Sequence, residues 1–484
     1  ATGAVVSAAR LLLAVALLVA AGLCKETGFC FFGLLAGWEI LRCLAPPLPA
    51  ALDGRWRRLL RLGILLLLGT GACYGRVWYT AGTAIERMDP HSNPVAAEDD
   101  AWVRVLSYAL VHGVYTKLLV WPTFLCYDYS LDAIPLVRTL EDTRLLLPMA
   151  AYLAFAELLT GALWPLRSVR RARRGVAEVR RAAQEGPIIG VAIVILSFVP
   201  MSNVLFPVGT MVGERLLYIP SAGLLVALVS LTARAATTHS RSDRGAGMLT
   251  CALVFCLLIA GVASAWLCAL RVPDWRDAES ITVADGLKQV HSSRVQFNFA
   301  NIRLKEKRYD EALFTYNRAI QIDPTDHDSL PLFHAGQILF YQGRHVEAER
   351  YLYKAVTGYF SPLTIKEEEI WHDYALCLYF VHKPAESVEH FQKSLLINPG
   401  FTKSLNNLGC ASGYAALSGT LPKQYLQFGV QALEEALKLE PGNILYWRNA
   451  VALLSLGGDL QAAQAAWERV SALDPHGALQ GPPQ

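Results

Sequence analysis

Residues 202–223 read SNVLFPVGTMVGERLLYIPSAG, a polar stretch broken by proline and glycine between the apolar runs Ile188–Phe206 and Leu216–Leu231. Two runs of that length joined by a polar turn predict a pair of membrane-crossing helices. Within the turn Glu214, Arg215 and Tyr218 stand at helical spacing, followed by Pro220 and Gly223. An ionisable Glu-Arg pair at the head of an apolar segment is costly beside lipid and therefore marks a functional site by default. The plainer alternative is a satisfied ion pair that anchors a helix end.

Working outward from this turn, the N-terminal part of the chain repeats the same alternation. Val5–Cys24 is apolar but for Arg10, Lys25 and Glu26 follow, and Phe29–Leu44 is a second, shorter run. Further spans are expected at Leu62–Ala81, Leu145–Trp164 and Leu249–Leu270, giving about seven crossings over residues 1–271. Residues 102–125 are apolar but interrupted by Arg104, His112 and Lys117, and are expected to form a re-entrant or interfacial helix, or one facing a water-filled cavity. His112 reads more readily as a satisfied buried histidine than as a cavity group. The chain is 53% hydrophobic, yet the apolar residues crowd before Arg271. The rest has the composition of a soluble domain.

Charge fixes an expected orientation. Arg55, Arg57, Arg58 and Arg61 mark one loop, Arg167–Arg181 a second, and Arg234, Arg241 and Arg244 a third. Placing all three in the cytoplasm requires that residues 82–145 make no net crossing. A basic run of this kind can bind nucleic acid, but a short cytoplasmic loop is the simpler reading, and no nucleic-acid partner is expected. The opposite face then carries Lys25-Glu26, the acidic 82–100 loop, Tyr127–Asp132, the opening turn and everything after Arg271. The first residue is Ala1, with no basic leader and cleavage site, so no signal peptide is read and a longer precursor is expected. Ten cysteines lie mostly in or beside apolar runs, where Cys behaves as a small hydrophobe, and no CxxC or His/Cys cluster offers a metal site.

After an expected linker at 272–292, residues 293–477 change to a helical repeat, with a tail at 478–484. Ala312, Tyr316 and Ala319 precede Pro324; Gly336, Ala348, Leu352 and Ala355 form a second unit; Trp371, Ala375 and Phe391 precede Pro399. A fourth begins Leu405-Asn406-Asn407-Leu408-Gly409 and carries an insertion around Leu417–Lys423, and Trp447, Ala463 and Trp467 precede Pro475. Pro441 to Pro475 is 34 residues, the tetratricopeptide period. About five irregular repeats are expected, with small residues where helices approach and aromatic residues between units. Such solenoids bind proteins or peptides far more often than they catalyse. No dicarboxylate-clamp pattern or asparagine ladder names the ligand.

The polytopic half and the repeats are joined through VPDWRDAES at 272–280. With LCKETG at 23–28, LVWPTFLCYDYSLDAIPL at 119–136 and the opening turn, the chain resembles the transmembrane and tetratricopeptide-repeat-containing (TMTC) family. The resemblance implies an all-α protein, a polytopic transmembrane helical domain of the GT-C type followed by a tetratricopeptide-repeat α-solenoid. It implies a protein O-mannosyltransferase of the endoplasmic reticulum membrane with its repeats in the lumen. The donor would be dolichyl phosphate mannose and the acceptors Ser or Thr of cadherin-type proteins. The family's first luminal loop, which carries an acidic pair expected to supply the base, would lie upstream of Ala1. The competing reading is a non-catalytic membrane-anchored adaptor that binds luminal proteins.

Sugar transfer from a lipid phosphate needs a carboxylate to take the hydroxyl proton and cations to hold the phosphate. Arg215 and Lys25, at luminal ends of spans, are the candidates for the phosphate, with Tyr218 one turn on to hydrogen-bond phosphate or mannose. Glu214 and Glu26 are the candidate catalytic carboxylates beside them, orienting the cations or meeting the sugar. Lys25-Glu26 also fits an interfacial pair with a snorkelling lysine. Asp128 and Asp132 are spaced i, i+4 and are expected on one helix face, where such a pair can bind metal or act as a base. It can equally be a solvated loop feature. No metal ligand set is read, and the divalent-metal requirement stays open. The repeat groove is expected to take acceptor proteins or a chaperone.

Overall fold

The structure is a computed structural model that describes residues 2–24, 26–44, 52–80, 92–123, 125–130, 133–168, 177–204, 207–238, 244–289, 291–322, 329–358 and 366–474. The described residues are helical with no strand, and they divide into two compact units, 1–295 and 296–484.

The first unit holds α1 (Thr2–Cys24), α2 (Cys30–Leu44), α3 (Leu52–Thr80), the short α4 (Pro94–Ala97), α5 (Ala101–Val120), α6 (Leu146–Ser168), α7 (Ala177–Phe198), α8 (Tyr218–Thr238), α9 (Arg244–Arg271) and α10 (Ala278–Lys288). Among the described residues five stretches are long and apolar enough to cross a membrane, Arg58–Arg76, Ala101–Val120, Thr143–Leu163, Glu214–Ala235 and Cys251–Arg276, and shorter apolar helices lie in α1, α2 and α7. Four of the five are at most 22% buried inside the protein, as lipid-facing helices are, whereas α5 is 44% buried. Asp100 starts α5 by accepting the N–H of Trp102 at 2.7 Å. The chain that leaves α5 at Val120 has doubled back by Arg138, which lies 3.7 Å from Glu98 just before α5 begins. Between residues 98 and 138 the chain therefore makes no net advance along α5.

Glycine sets a close contact between α7 and α8. A Cβ on Gly190 of α7 would lie 2.5 Å from the carbonyl oxygen of Gly223 in α8, and one on Gly223 would lie 2.8 Å from that of Gly190. Only residues without a side chain let two spanning helices approach so far. The opening turn thus ends on the residue that locks its helix onto the preceding one. The stretch 272–292, expected as a linker, instead contains the 3-10 turn Val272–Arg276 and α10, whose Asp285 is fully buried in the first unit.

The second unit continues as α11 (Ser293–Lys305), α12 (Tyr309–Ile322), α13 (Leu330–Tyr341), α14 (His345–Thr357), α15 (Glu367–Phe380), α16 (Pro384–Ile397), α17 (Thr402–Leu417), α18 (Gln424–Leu439), α19 (Ile444–Gly457) and α20 (Leu460–Leu473). These are five helix pairs. Ala312, Ala319, Ala348, Ala355 and Ala375 have no exposed surface, and a Cβ on Gly336 would meet Leu352 at 2.7 Å. The small positions are therefore where paired helices touch. Tyr316 and Phe391 fill the core completely, and the Tyr316 hydroxyl donates to Asn301 across the first pair. Trp467, expected to fill between units, is instead 51% exposed on α20, the last described helix.

Candidate functional site

The turn between α7 and α8 is held from three directions. Asn93, fully buried, donates through Nδ2 to Asn203 Oδ1 at 2.9 Å and to the Val208 carbonyl at 2.8 Å. Asn203 accepts the Val208 N–H at 2.8 Å and takes a left-handed φ of 60°, a conformation asparagine tolerates better than most residues. From α5, Tyr115 accepts the Gly213 N–H on its hydroxyl at 3.0 Å, and His112 meets the Ser202 carbonyl through Nε2 at 2.7 Å. A carbonyl only accepts, so Nε2 carries the proton and Nδ1 accepts from the Tyr152 hydroxyl at 2.7 Å. His112 is the satisfied histidine the sequence favoured. Met211 and Val212 pack with Val95, Val111 and Tyr115 beneath the turn.

Extended Gly213 then leads into a 3-10 turn, Glu214–Leu217, and α8 begins at Tyr218. Glu214 and Arg215 do not pair with each other. Glu214 turns inward, where its Oε1 accepts the Cys126 N–H at 2.5 Å and the Tyr129 hydroxyl at 2.7 Å. Its Oε2 makes no hydrogen bond among the described residues. Burial pushes the Cys126 thiol up to about 12 and raises the Tyr129 phenol further, so both keep their protons at neutral pH and Tyr129 stays a donor. Arg215 is exposed and makes no side-chain hydrogen bond or ion pair with a described residue. Tyr218, 82% exposed, lies beyond the turn at the start of α8.

Residues 125–130 are irregular rather than helical, so Asp128 stands in a loop and not on a helix face. The reason is local: Asp128 Oδ1 accepts the Ser130 N–H at 2.8 Å and closes its own turn. Asp132 lies outside the described residues, as does Lys25. Glu26 opens a 3-10 turn, Glu26–Phe29, between α1 and α2, and its side chain also lies outside what is described.

Sequence reasoning missed the other clamp on this segment. Asp285 of α10 accepts the Tyr127 N–H at 2.8 Å and takes both terminal nitrogens of Arg271, at 2.5 and 3.0 Å. Arg271, at the end of α9, also reaches Asp274 at 2.9 Å. Two carboxylates, Glu214 and Asp285, therefore grip consecutive groups of one loop. Beside Glu214 opens a cavity of about 220 Å³ whose walls include Tyr127, Asp128, Thr210, Arg215 and Trp275. In the sequence Arg271 only marked the end of the apolar part, and Asp285 fell within the expected linker at 272–292; burial is what distinguishes them. Among the described residues no group of three or more His, Cys, Asp or Glu is placed to hold a metal ion.

Residues 84–156, which include α5 and the 125–130 loop, match the family described as "Protein O-mannosyl-transferase TMTC, DUF1736", and residues 293–326 match the tetratricopeptide repeat. Mouse "Protein O-mannosyl-transferase TMTC1" is 28% identical over 60% of this chain and 29% of its own length. Mouse "Protein O-mannosyl-transferase TMTC4" is 29% identical over 56% and 36%, and Drosophila melanogaster "Protein O-mannosyl-transferase Tmtc1" 25% identical over 66% and 43%. The aligned part is thus well under half the length of each of these relatives. Among solved structures, "YrrB: a TPR protein with an unusual peptide-binding site" is similar at 16% identity and a TM-score of 0.34, over 41% of this chain and 94% of that one. By the matched segment around the site loop and by these alignments, the chain is similar to the TMTC protein O-mannosyl-transferases over its N-terminal part, and to tetratricopeptide repeats at residues 293–326.

Proposed function

We propose that the chain belongs to an enzyme that transfers mannose from dolichyl phosphate mannose to Ser or Thr hydroxyls of proteins. The observation that carries this reading is a cation, Arg215, with no partner among the described residues, on the rim of a carboxylate-lined cavity at the head of an apolar helix. A lipid phosphate would lie at that depth, and a guanidinium binds its oxygens with forked donors. In the reaction the acceptor hydroxyl oxygen bonds to the anomeric carbon of mannose. The bond from that carbon to the phosphate oxygen breaks, its electron pair leaves with dolichyl phosphate, and the hydroxyl proton passes to a carboxylate. Glu214, with one oxygen committed to the loop and the other unbonded among the described residues, suits contact with the sugar or that proton. Lys25 and Tyr218 join Arg215 as proposed donor-binding groups, and Glu26 and Asp128 as further carboxylates.

The endoplasmic reticulum membrane is the proposed location. Cadherin-type proteins are the proposed acceptors, delivered by repeats in the lumen, whose groove would also take a chaperone. The test is transfer of labelled mannose from dolichyl phosphate mannose to a cadherin ectodomain in membranes that carry the chain. Arg215→Ala is expected to lower transfer by about 100-fold, the weight of a charge-assisted contact to a phosphate, with expression unchanged. Normal transfer by that variant removes Arg215 from the mechanism.

A further inference from the structure

The cavity beside Glu214 has a wall that the phosphate contact does not explain. Trp275 stands in the turn just after α9, 56% exposed, with its ring on the cavity. An aromatic of that size left in the open loses the burial that normally recruits it. It is not loosely hung: the Arg271 guanidinium lies 5.9 Å from the ring centroid, and Asp285 fixes that guanidinium with a bidentate pair. The same Asp285 holds the Tyr127 N–H, so one buried carboxylate sets two walls of one cavity.

A flat aromatic beside acceptor carboxylates matches the two faces of a sugar, whose ring C–H groups stack while its hydroxyls donate and accept. At about 220 Å³ the space is smaller than the ~300–1,000 Å³ of drug-sized sites and suits one ring. We infer that this cavity is the subsite for a single hexose ring, stacked on Trp275 and hydrogen-bonded by Asp128, with its anomeric phosphate toward Arg215. The inference rests on the transferase reading for the phosphate, and it adds Trp275 as the residue that distinguishes a glycosyl phosphate from a bare phosphate.

Binding of mannose 1-phosphate and of inorganic phosphate to the whole chain in lipid nanodiscs tests it without using catalysis. The wild type is expected to prefer mannose 1-phosphate. Trp275→Ala is expected to weaken mannose 1-phosphate by about fivefold, as loss of one aromatic contact does, while leaving phosphate affinity unchanged. Trp275→Phe restores most of the preference. Equal affinities of wild type and Trp275→Ala for mannose 1-phosphate overturn the subsite, as does a parallel loss for both ligands. A preference for mannose 1-phosphate that survives Arg215→Ala overturns the phosphate role of Arg215 in the transferase reading and leaves the subsite standing.

Discussion

Glu214 and Arg215 are neighbours in sequence and opposites in environment. A 3-10 turn aims the glutamate at the loop N–H groups and leaves the arginine in the open. The pair was legible as a site because charge beside an apolar run is expensive, but the split between its members was not. Spacing alone reports which residues share a helical face, and this turn is not yet α-helix. Asp285 was illegible for a different reason. In the sequence it is one polar residue of a mixed helix, and its weight comes from having no exposed surface while facing Arg271. Asp285→Asn keeps the shape, removes the charge and leaves a largely buried guanidinium short of its partner. Breaking a buried pair from one side costs about 3 kcal/mol, so thermal unfolding of the purified chain in detergent is expected to show that loss. Asp285→Asn paired with Arg271→Met is expected to recover stability, because no uncompensated charge remains. An unchanged midpoint in the single variant would show that the pair does not hold the loop.

At the scale of elements, run length made four of the seven expected apolar runs readable as helices long enough to span, while the other three hold shorter apolar helices among the described residues. The repeats were readable from small and aromatic residues recurring with the tetratricopeptide period. What run length does not report is how closely two runs pack. Gly223 looked like a turn residue of the opening stretch, but it lies inside α8 against Gly190 of α7, backbone to backbone. Gly223→Ala would drive its Cβ to 2.8 Å from the Gly190 carbonyl oxygen and 2.9 Å from Ile193 Cβ. Overpacking of this kind costs about 1–3 kcal/mol, and the helix that carries Glu214 and Arg215 would shift with it. The matched control is Gly63→Ala in α3, where an added methyl meets nothing within 4 Å and helix propensity improves. Unfolding midpoints that fall for Gly223→Ala and hold or rise for Gly63→Ala are the expected outcome. Equal effects would deny the close approach.

At the scale of the whole molecule the question is which side of the membrane each loop occupies. The arginine-rich loops set one face, provided that 82–145 does not cross. The return of the chain from Val120 to Arg138 beside Glu98 fits that condition, although α5 alone has the length and composition of a span. The 125–130 loop, the head of α8 and the end of α9 then meet on the face opposite the arginines, and the chain after Arg271 starts there. The chain contains no Asn-x-Ser/Thr sequon, so glycosylation can report side without background. Ser418 is exposed and followed by Gly419 and Thr420, so Ser418→Asn alone creates a sequon in the insertion after α17. Ser240, followed by Arg241 and Ser242 in the third arginine-rich loop, becomes one by the same change. In microsomes the Ser418→Asn chain is expected to gain a glycan that endoglycosidase removes, and the Ser240→Asn chain to stay unmodified. The reverse pattern would put the repeats in the cytosol, away from any luminal acceptor, and the donor-binding face would have to be sought among the arginines themselves.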